Sequence, residues 1–221
     1  LDEESGLVRE LDMRVIETVC ADLRRWQMAG LEIPSVSVNI ARTTLLHPNV
    51  VEDVREICGR HGVAPARITV DLAAQDVAEK VEAVGPRIAE LRALGCTVAV
   101  DRFGEGLANL GFLRGIGFDR LNVDRKFVHG VSVNGYLADI LRFVKGIADM
   151  FEVDVVCHGV EQPEDLSRLI ELGYRNFQGW YFCSAVAPEA VPMMFERLRM
   201  LDASGRFATD AARRLVAGLR S

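Results

Sequence analysis

The sequence contains no apolar run of the roughly 18 to 20 residues that a membrane-spanning helix needs. It also has little cysteine. The five that occur, Cys20, Cys58, Cys96, Cys157 and Cys183, are scattered, and none shows CxxC or zinc-ligand spacing. That pattern excludes a disulfide scaffold and reads as reduced, buried thiols of a cytosolic protein. No excess of positive charge is present: 26 Lys and Arg face 32 Asp and Glu, for a net charge of -6. Bulk attraction to nucleic acid or anionic lipid is therefore excluded, whereas a locally basic site for a small anion is not. No GxGxxG follows the first strand and no P-loop occurs, which removes the common dinucleotide and nucleotide-triphosphate frameworks. A signal peptide is absent too. The opening LDEESGLVRELD is acidic, helix-like and without an initiator methionine, as in a domain cut from a longer chain.

What is present is an ordinary globular composition, 49% hydrophobic and 26% charged, over 221 residues. That is long enough to bury a real core. Leu7, Leu11, Val15, Val19, Leu23 and Trp26 recur every three or four residues and predict a helix over 7–29 buried along that line, stopped by Gly30. Helices are likewise expected over 48–62, 77–95, 135–151 and 163–172, a short one near 108–114, and a last pair over 188–200 and 207–219. Between them lie β-branched or alternating segments: SVSVNIA, RITVDLA, TVAVD, FDRLNVD, VDVVCHG and RNFQGWYF. Strand-then-helix alternation implies right-handed crossovers and a parallel sheet. We read an α/β barrel-type domain over 1–200. A helical extension follows over 201–221, with Asp202, Ser204 or Thr209 as caps.

Polar residues cluster at the C-terminal tips of these strands: Asn39, Asp71, Asp101, Asp124, His158 with Glu161, and Gln178. Each alone is an ordinary turn or cap residue. Their recurrence on successive strands points to a site on the face where barrel strands converge. The corner VAVDRFGEG is the most informative of them. A carboxylate at a strand end beside a glycine-rich turn suits a divalent cation, and two adjacent carboxylates would suit two. The second position is Arg102, a permanent cation that cannot ligate a metal and repels one.

Several segments together resemble the EAL domains, phosphodiesterases of the bacterial second messenger cyclic di-GMP with a TIM-barrel-like fold. EESGLVRELD resembles the family's entry into its first long helix, SVSVNIA its Ser-Val-Asn strand, and ITVDLAAQ its Glu-Ile-Thr-Glu-Ser strand. VDRFGEGLANLGFLRGIGFDRLNVDRKFV resembles the Asp-Asp-Phe-Gly-Thr-Gly region with the Lys-Ile-Asp strand. VVCHGVEQ resembles Ala-Glu-Gly-Val-Glu, and NFQGWYF the Gln-Gly-Tyr segment. The likeness is collinear from residue 1 to about 198. The Glu-Ala-Leu motif and the first strand or strands would precede residue 1.

The resemblance implies a metal site at Asn39, Asp71 and Asp101. Asp71 is shorter than the family's glutamate, and Asp124, Glu161 and Gln178 match further polar positions. It also implies losses. Arg102 replaces the second metal-binding aspartate, Asn122 the lysine that assists the attacking water, His158 a glutamate of the site, and Ala74 the glutamate that steadies the lid loop. At the rim, Thr43 and Thr44 replace Arg-Gln, and Leu107-Ala108-Asn109 replaces Tyr-Ser-Ser. His158 could join Asp101 on a transition metal or be an ordinary polar replacement. Arg102 could contact a phosphate or be a surface charge.

The expectation is a catalytically inactive regulatory domain in cyclic di-GMP signalling, with no cofactor. It would act as a nucleotide receptor through Asn39, Arg102, Asp119, Glu161 and Gln178, or as a protein-interaction module. The alternative is a weak or altered phosphodiesterase using magnesium or manganese. A protein partner or neighbouring signalling domain is implied, and a homodimer is compatible with the family, whose members often pair through helices beside the Asp-Asp corner.

Overall fold

The structure, a computed structural model, describes residues 3–31, 33–104 and 110–196. The expected helix at 207–219 with its caps, and Leu107-Ala108-Asn109, lie outside the described residues. Contacts gather the chain into two compact units, Leu1–Arg120 and Leu121–Ser221.

The first unit begins with α1 (Glu3–Met28), β1 (Val36–Asn39), α2 (Arg42–Leu45) and α3 (Val50–His61). It continues with β2 (Ile68–Ala73), α4 (Ala74–Glu79), α5 (Val81–Leu94) and β3 (Thr97–Phe103), then a 3-10 segment at Leu110–Gly115. β1, β2 and β3 run side by side in parallel, with Asn39 level with Asp71, Asp71 with Ala99, and Ala73 with Asp101. Side chains alternate across a strand, so this register fixes two faces. One carries Val38, Val70, Leu72, Val98 and Val100, all buried. The other carries Ser37, Asn39, Thr69, Asp71, Thr97 and Asp101. The apolar face packs in the core, and the polar face, where Thr69 and Asp71 are buried as well, is where a site can form.

Two expectations need correction in this unit. The apolar line of α1 is split: Leu7 and Leu11 are 68% and 63% exposed, and burial follows Ile16, Cys20, Leu23 and Trp26 instead. The reason is polar anchoring of the other face, since Arg9 pairs with Asp53 of α3 and Asp12 accepts the Ala41 amide at 3.0 Å. The single helix expected over 77–95 is two helices, broken at Lys80 with φ -139° and ψ 36°. There the Lys80 amide closes α4 on the Val77 carbonyl, and its own carbonyl accepts the first amides of α5, from Ala83 and Val84.

The second unit holds β4 (Arg120–Val123, its first residue at the boundary), α6 (Arg125–Val128), α7 (Gly135–Phe151), β5 (Asp154–His158), α8 (Pro163–Glu171) and β6 (Asn176–Gln178), with residues 191–196 helical. β5 and β6 are parallel, His158 level with Gln178. Leu121, Val123, Leu141, Val144, Cys157 and Leu169 are wholly buried here. The Tyr174 phenol enters this core by donating to the Leu141 carbonyl at 2.7 Å, and burial pushes its pKa up. The strand expected over 175–182 stops at Gln178, because the chain folds back and Phe182 N–H donates to the Gly179 carbonyl at 3.1 Å. Four cysteines are buried, Cys183 is half-buried, and all are free thiols, as the spacing implied. Among the described residues no helix is long and apolar enough to cross a membrane.

Asp165 fastens the α6–α7 connection. It is 2% exposed and accepts from Gly130 N–H at 2.9 Å, Ser132 N–H at 3.0 Å and the Ser132 hydroxyl at 2.8 Å. Burial alone would raise its pKa, but these three donors outweigh it and hold the carboxyl below its usual value. A depressed folded pKa gives stability that is present above the unfolded value, near pH 4, and lost as pH falls through the folded one. Asp165→Ala is therefore expected to cost about 2–4 kcal/mol at neutral pH, with the difference from wild type shrinking on acidification. Urea melts of both proteins at pH 7 and pH 3 check this.

Candidate functional site

In the first unit the strand ends deliver Asn39, Asp71 and Asp101 to the same sheet face. Asn39 and Asp71 are lateral neighbours, about 4.8 Å apart from strand to strand, while Asp101 stands one pleat, about 6.6 Å, further along. Asn39 is exposed, Asp101 half-buried and Asp71 buried. Directly after β2, Ala74 opens α4 with a buried methyl, so no carboxylate stands there. α4 is tied to α2 by Arg42, which pairs with Glu79 and lies 3.5 Å from Asp76. The Arg42 guanidinium holds the Glu79 carboxyl below its usual pKa.

Arg102 has φ +52° and an exposed side chain. A left-handed backbone costs a side-chain-bearing residue about 1–2 kcal/mol. The neighbours hold it: Phe103 is 1% exposed, anchoring the next step in the core, and Gly104 at φ +107° completes the turn. The outcome is a guanidinium one residue from the Asp101 carboxylate, at the C-terminal end of β3.

Asp119 is not in this group. Its carboxylate receives the Arg92 guanidinium at 2.7 Å and 3.1 Å and the Val98 amide at 2.8 Å. Val98 is the second residue of β3, so Asp119 lies at the opposite end of that strand from Asp101 and is committed to holding it. Asp119, expected among the nucleotide-binding residues, spends its carboxylate on Arg92 and Val98 instead.

In the second unit His158, Glu161 and Gln178 line one cleft of about 480 Å3, together with Arg125, Trp180 and Cys183. Glu161 is engaged by Arg125 at 2.8 Å. The same guanidinium lies 5.8 Å from the centroid of the Trp180 ring, which is 69% exposed, a distance suited to cation–π attraction. Asp124 is an N-cap rather than a cleft residue: its side chain accepts from Lys126 N–H at 2.9 Å and starts α6. Asn122 is 2% exposed on β4. Arg125 and Trp180 were missed at the sequence level. Their signals are faint: a basic residue directly after a helix cap, and an aromatic directly after Gln-Gly.

The cleft floor is clamped through the backbone. Val160 N–H donates to the Gln178 carbonyl at 3.0 Å, and Tyr181 N–H donates back to the Val160 carbonyl at 3.1 Å. Gly179 sits inside that clamp, where a Cβ would stand 2.0 Å from the Val160 oxygen. Gly179→Ala is expected to destabilise the second unit by about 2–4 kcal/mol and to weaken any ligand of this cleft. Thermal melts and ligand titration of the variant check it.

Among the described residues, no group of three or more His, Cys, Asp or Glu side chains is placed to hold a metal ion. The first unit offers one amide and two carboxylates beside a guanidinium, a poor donor set for a pair of divalent cations.

A parallel α/β arrangement of strands followed by helices defines a TIM-barrel-like protein. The model of the EAL domain matches residues 1–185, and the chain belongs to that family. It is 30% identical over 204 residues to the cyclic di-GMP phosphodiesterase NbdA of Pseudomonas aeruginosa, covering 92% of this chain and 26% of that protein. The chain thus spans about a quarter of the length of this curated relative. Among solved structures it is similar to the EAL domain of Mycobacterium smegmatis DcpA, with TM-score 0.81 and 25% identity over 86% of each chain. It is also similar in fold to Klebsiella pneumoniae BlrP1 in a manganese and cyclic di-GMP complex, with TM-score 0.73 and 22% identity, covering 80% of this chain and 44% of that one.

Proposed function

We propose that this EAL domain does not hydrolyse cyclic di-GMP and serves in its signalling as a nucleotide receptor coupled to a neighbouring domain or protein partner. The observation that carries this reading is Arg102, a guanidinium one residue from Asp101 where a second metal-binding carboxylate would be needed. A two-metal displacement needs two cation sites, and a fixed positive charge opposes the second.

Three further features support it. The buried methyl of Ala74 and the amide of Asn122 stand where charged groups would act, and Glu161 is held by Arg125. Each lost transition-state group typically costs about 10²–10⁴ in rate. Such losses are not additive within one catalytic unit, so restoring a single group is not expected to restore turnover.

Binding can outlast catalysis because it calls on different groups. A guanidinium matches a phosphate with two hydrogen bonds, and each unit by itself offers one at its strand ends, Arg102 in the first and Arg125 in the second. The exposed Trp180 ring beside Arg125 offers a face on which a base can stack. This is the receptor form of the reading.

Incubation of the purified chain with cyclic di-GMP and manganese or magnesium is expected to yield no linear dinucleotide, and Arg102→Asp is expected to remain inactive. Turnover that Asp101→Ala abolishes would overturn the proposal. Calorimetric titration in EDTA is expected to show binding that Trp180→Ala weakens at least tenfold. Absence of binding would leave only the protein-interaction form.

A further inference from the structure

Three of the buried thiols gather in one place in the first unit. Cys20 of α1, Cys58 of α3 and Cys96, the residue before β3, are 0%, 1% and 4% exposed. Ion pairs of Arg9 with Asp53, and of Arg60 with Glu17 at 3.0 Å, hold α1 along α3. Ile16, Cys20 and Leu23 of the one helix and Val54, Ile57 and Cys58 of the other are buried. Between the helices the Cys20 thiol donates a hydrogen bond to the Cys58 sulfur. Two sulfurs in that contact need only a small closing step to reach bonding distance. Neither takes part in the strand-end site or in the cleft.

The contact also gives the two sulfurs different roles in an oxidation. Donation from Cys20 lowers the Cys58 pKa, against burial that raises it, and the same bond raises that of Cys20. Cys58 is thus the sulfur that can carry negative charge, and the thiolate is the form that attacks an oxidant. Cys96 stays protonated, since burial and the nearby Cys58 push its pKa up to about 12. With hydrogen peroxide, the Cys58 thiolate attacks one oxygen, the O–O bond breaks, and the departing hydroxide takes up a proton to leave as water. The Cys20 sulfur then attacks the sulfenic sulfur, and its proton leaves with the hydroxyl as a second water. Two thiols and one peroxide give one disulfide and two waters. The product needs no added volume, which suits a packed core.

We infer that Cys20 and Cys58 are a reversible dithiol–disulfide site, oxidised by peroxide, whose closure staples α1 to α3. The bridge encloses the 37 residues 21–57, which carry β1, Asn39 and α2. It thereby tightens the segment whose Ala41 amide already rests on Asp12 of α1. In a reducing compartment such a bridge is transient, the behaviour of a redox sensor rather than of a scaffold. Both thiols are closed to solvent, so the reaction waits on local opening of the helix pair and is slower than at half-buried Cys183. The site is independent of the proposed function, since neither sulfur belongs to the cleft or to the strand tips.

The test uses the 221-residue chain with Cys183→Ser, which removes the half-buried thiol, treated with hydrogen peroxide. Expected are loss of two hydrogens from the intact mass, two fewer thiols open to alkylation in denaturant, and a tryptic fragment joining VIETVCADLR (15–24) to EICGR (56–60). Dithiothreitol should reverse all three. Oxidation should raise the melting temperature by about 5–10 °C. Cys58→Ala should abolish that rise, and Cys157→Ala, which removes a buried thiol of the second unit, should preserve it. The joined fragment is read in a chain with both thiols intact, so it decides the matter even if Cys58→Ala does not fold. A bridge to Cys96, oxygen gained by Cys58 without a cross-link, or an oxidised chain that melts with the reduced one would each overturn the inference.

Discussion

In the first unit, burial of Val38, Val70, Leu72, Val98 and Val100 along one side of three parallel strands sets the position of everything else. Once those rungs are in the core, the two-residue period leaves no choice for their neighbours. Asn39, Asp71 and Asp101 must share the other face. A slip of one residue would send the carboxylates inward and the valines out, at a cost of several buried side chains of about 1.5–3 kcal/mol each. The site is thus a by-product of hydrophobic register.

The same constraint explains how an awkward corner persists. Arg102 occupies a backbone conformation that favours glycine, and it is followed by Phe103, which is almost wholly buried. Withdrawing Phe103 from the core would cost more than the roughly 1–2 kcal/mol of strain at the residue before it. An arginine can therefore stand there without unravelling the strand, and the local charge changes sign while the fold is kept. In the second unit the cleft has a comparable device. The reciprocal hydrogen bonds of Val160 with Gln178 and Tyr181 fix the floor, and Glu161 is oriented by Arg125, which also faces Trp180.

Much of the fold was legible because it depends on short-range periodicity. Five of the six strands lie within their expected segments, β3 runs two residues past its own to Phe103, and α3, α7 and α8 match their expected spans to within about two residues. Where the reading failed, longer-range contacts outweighed local pattern. The apolar line through Leu7, Leu11 and Val15 looks like a buried face, yet Arg9 and Asp12 turn the helix so that Ile16 and Cys20 go inward. Residues 179–182 have strand composition, but the bonds between Gly179, Val160 and their neighbours fold them back. Asp119 has the type and place of a site residue, and only its bonds to Arg92 and Val98 reveal that it is structural.

The sequence by itself determined the α/β class, the family likeness and the substitutions at 74, 102, 122 and 158, because identity and order along a chain are local facts. It could not determine which side chains meet. That Arg125 holds Glu161 and lies by Trp180, that Asp124 caps a helix, and that Tyr136, Phe143 and Met150 are left exposed were decided by tertiary packing. The physical reason is that exposure and pairing depend on what stands opposite a residue, and residues far along the chain supply that.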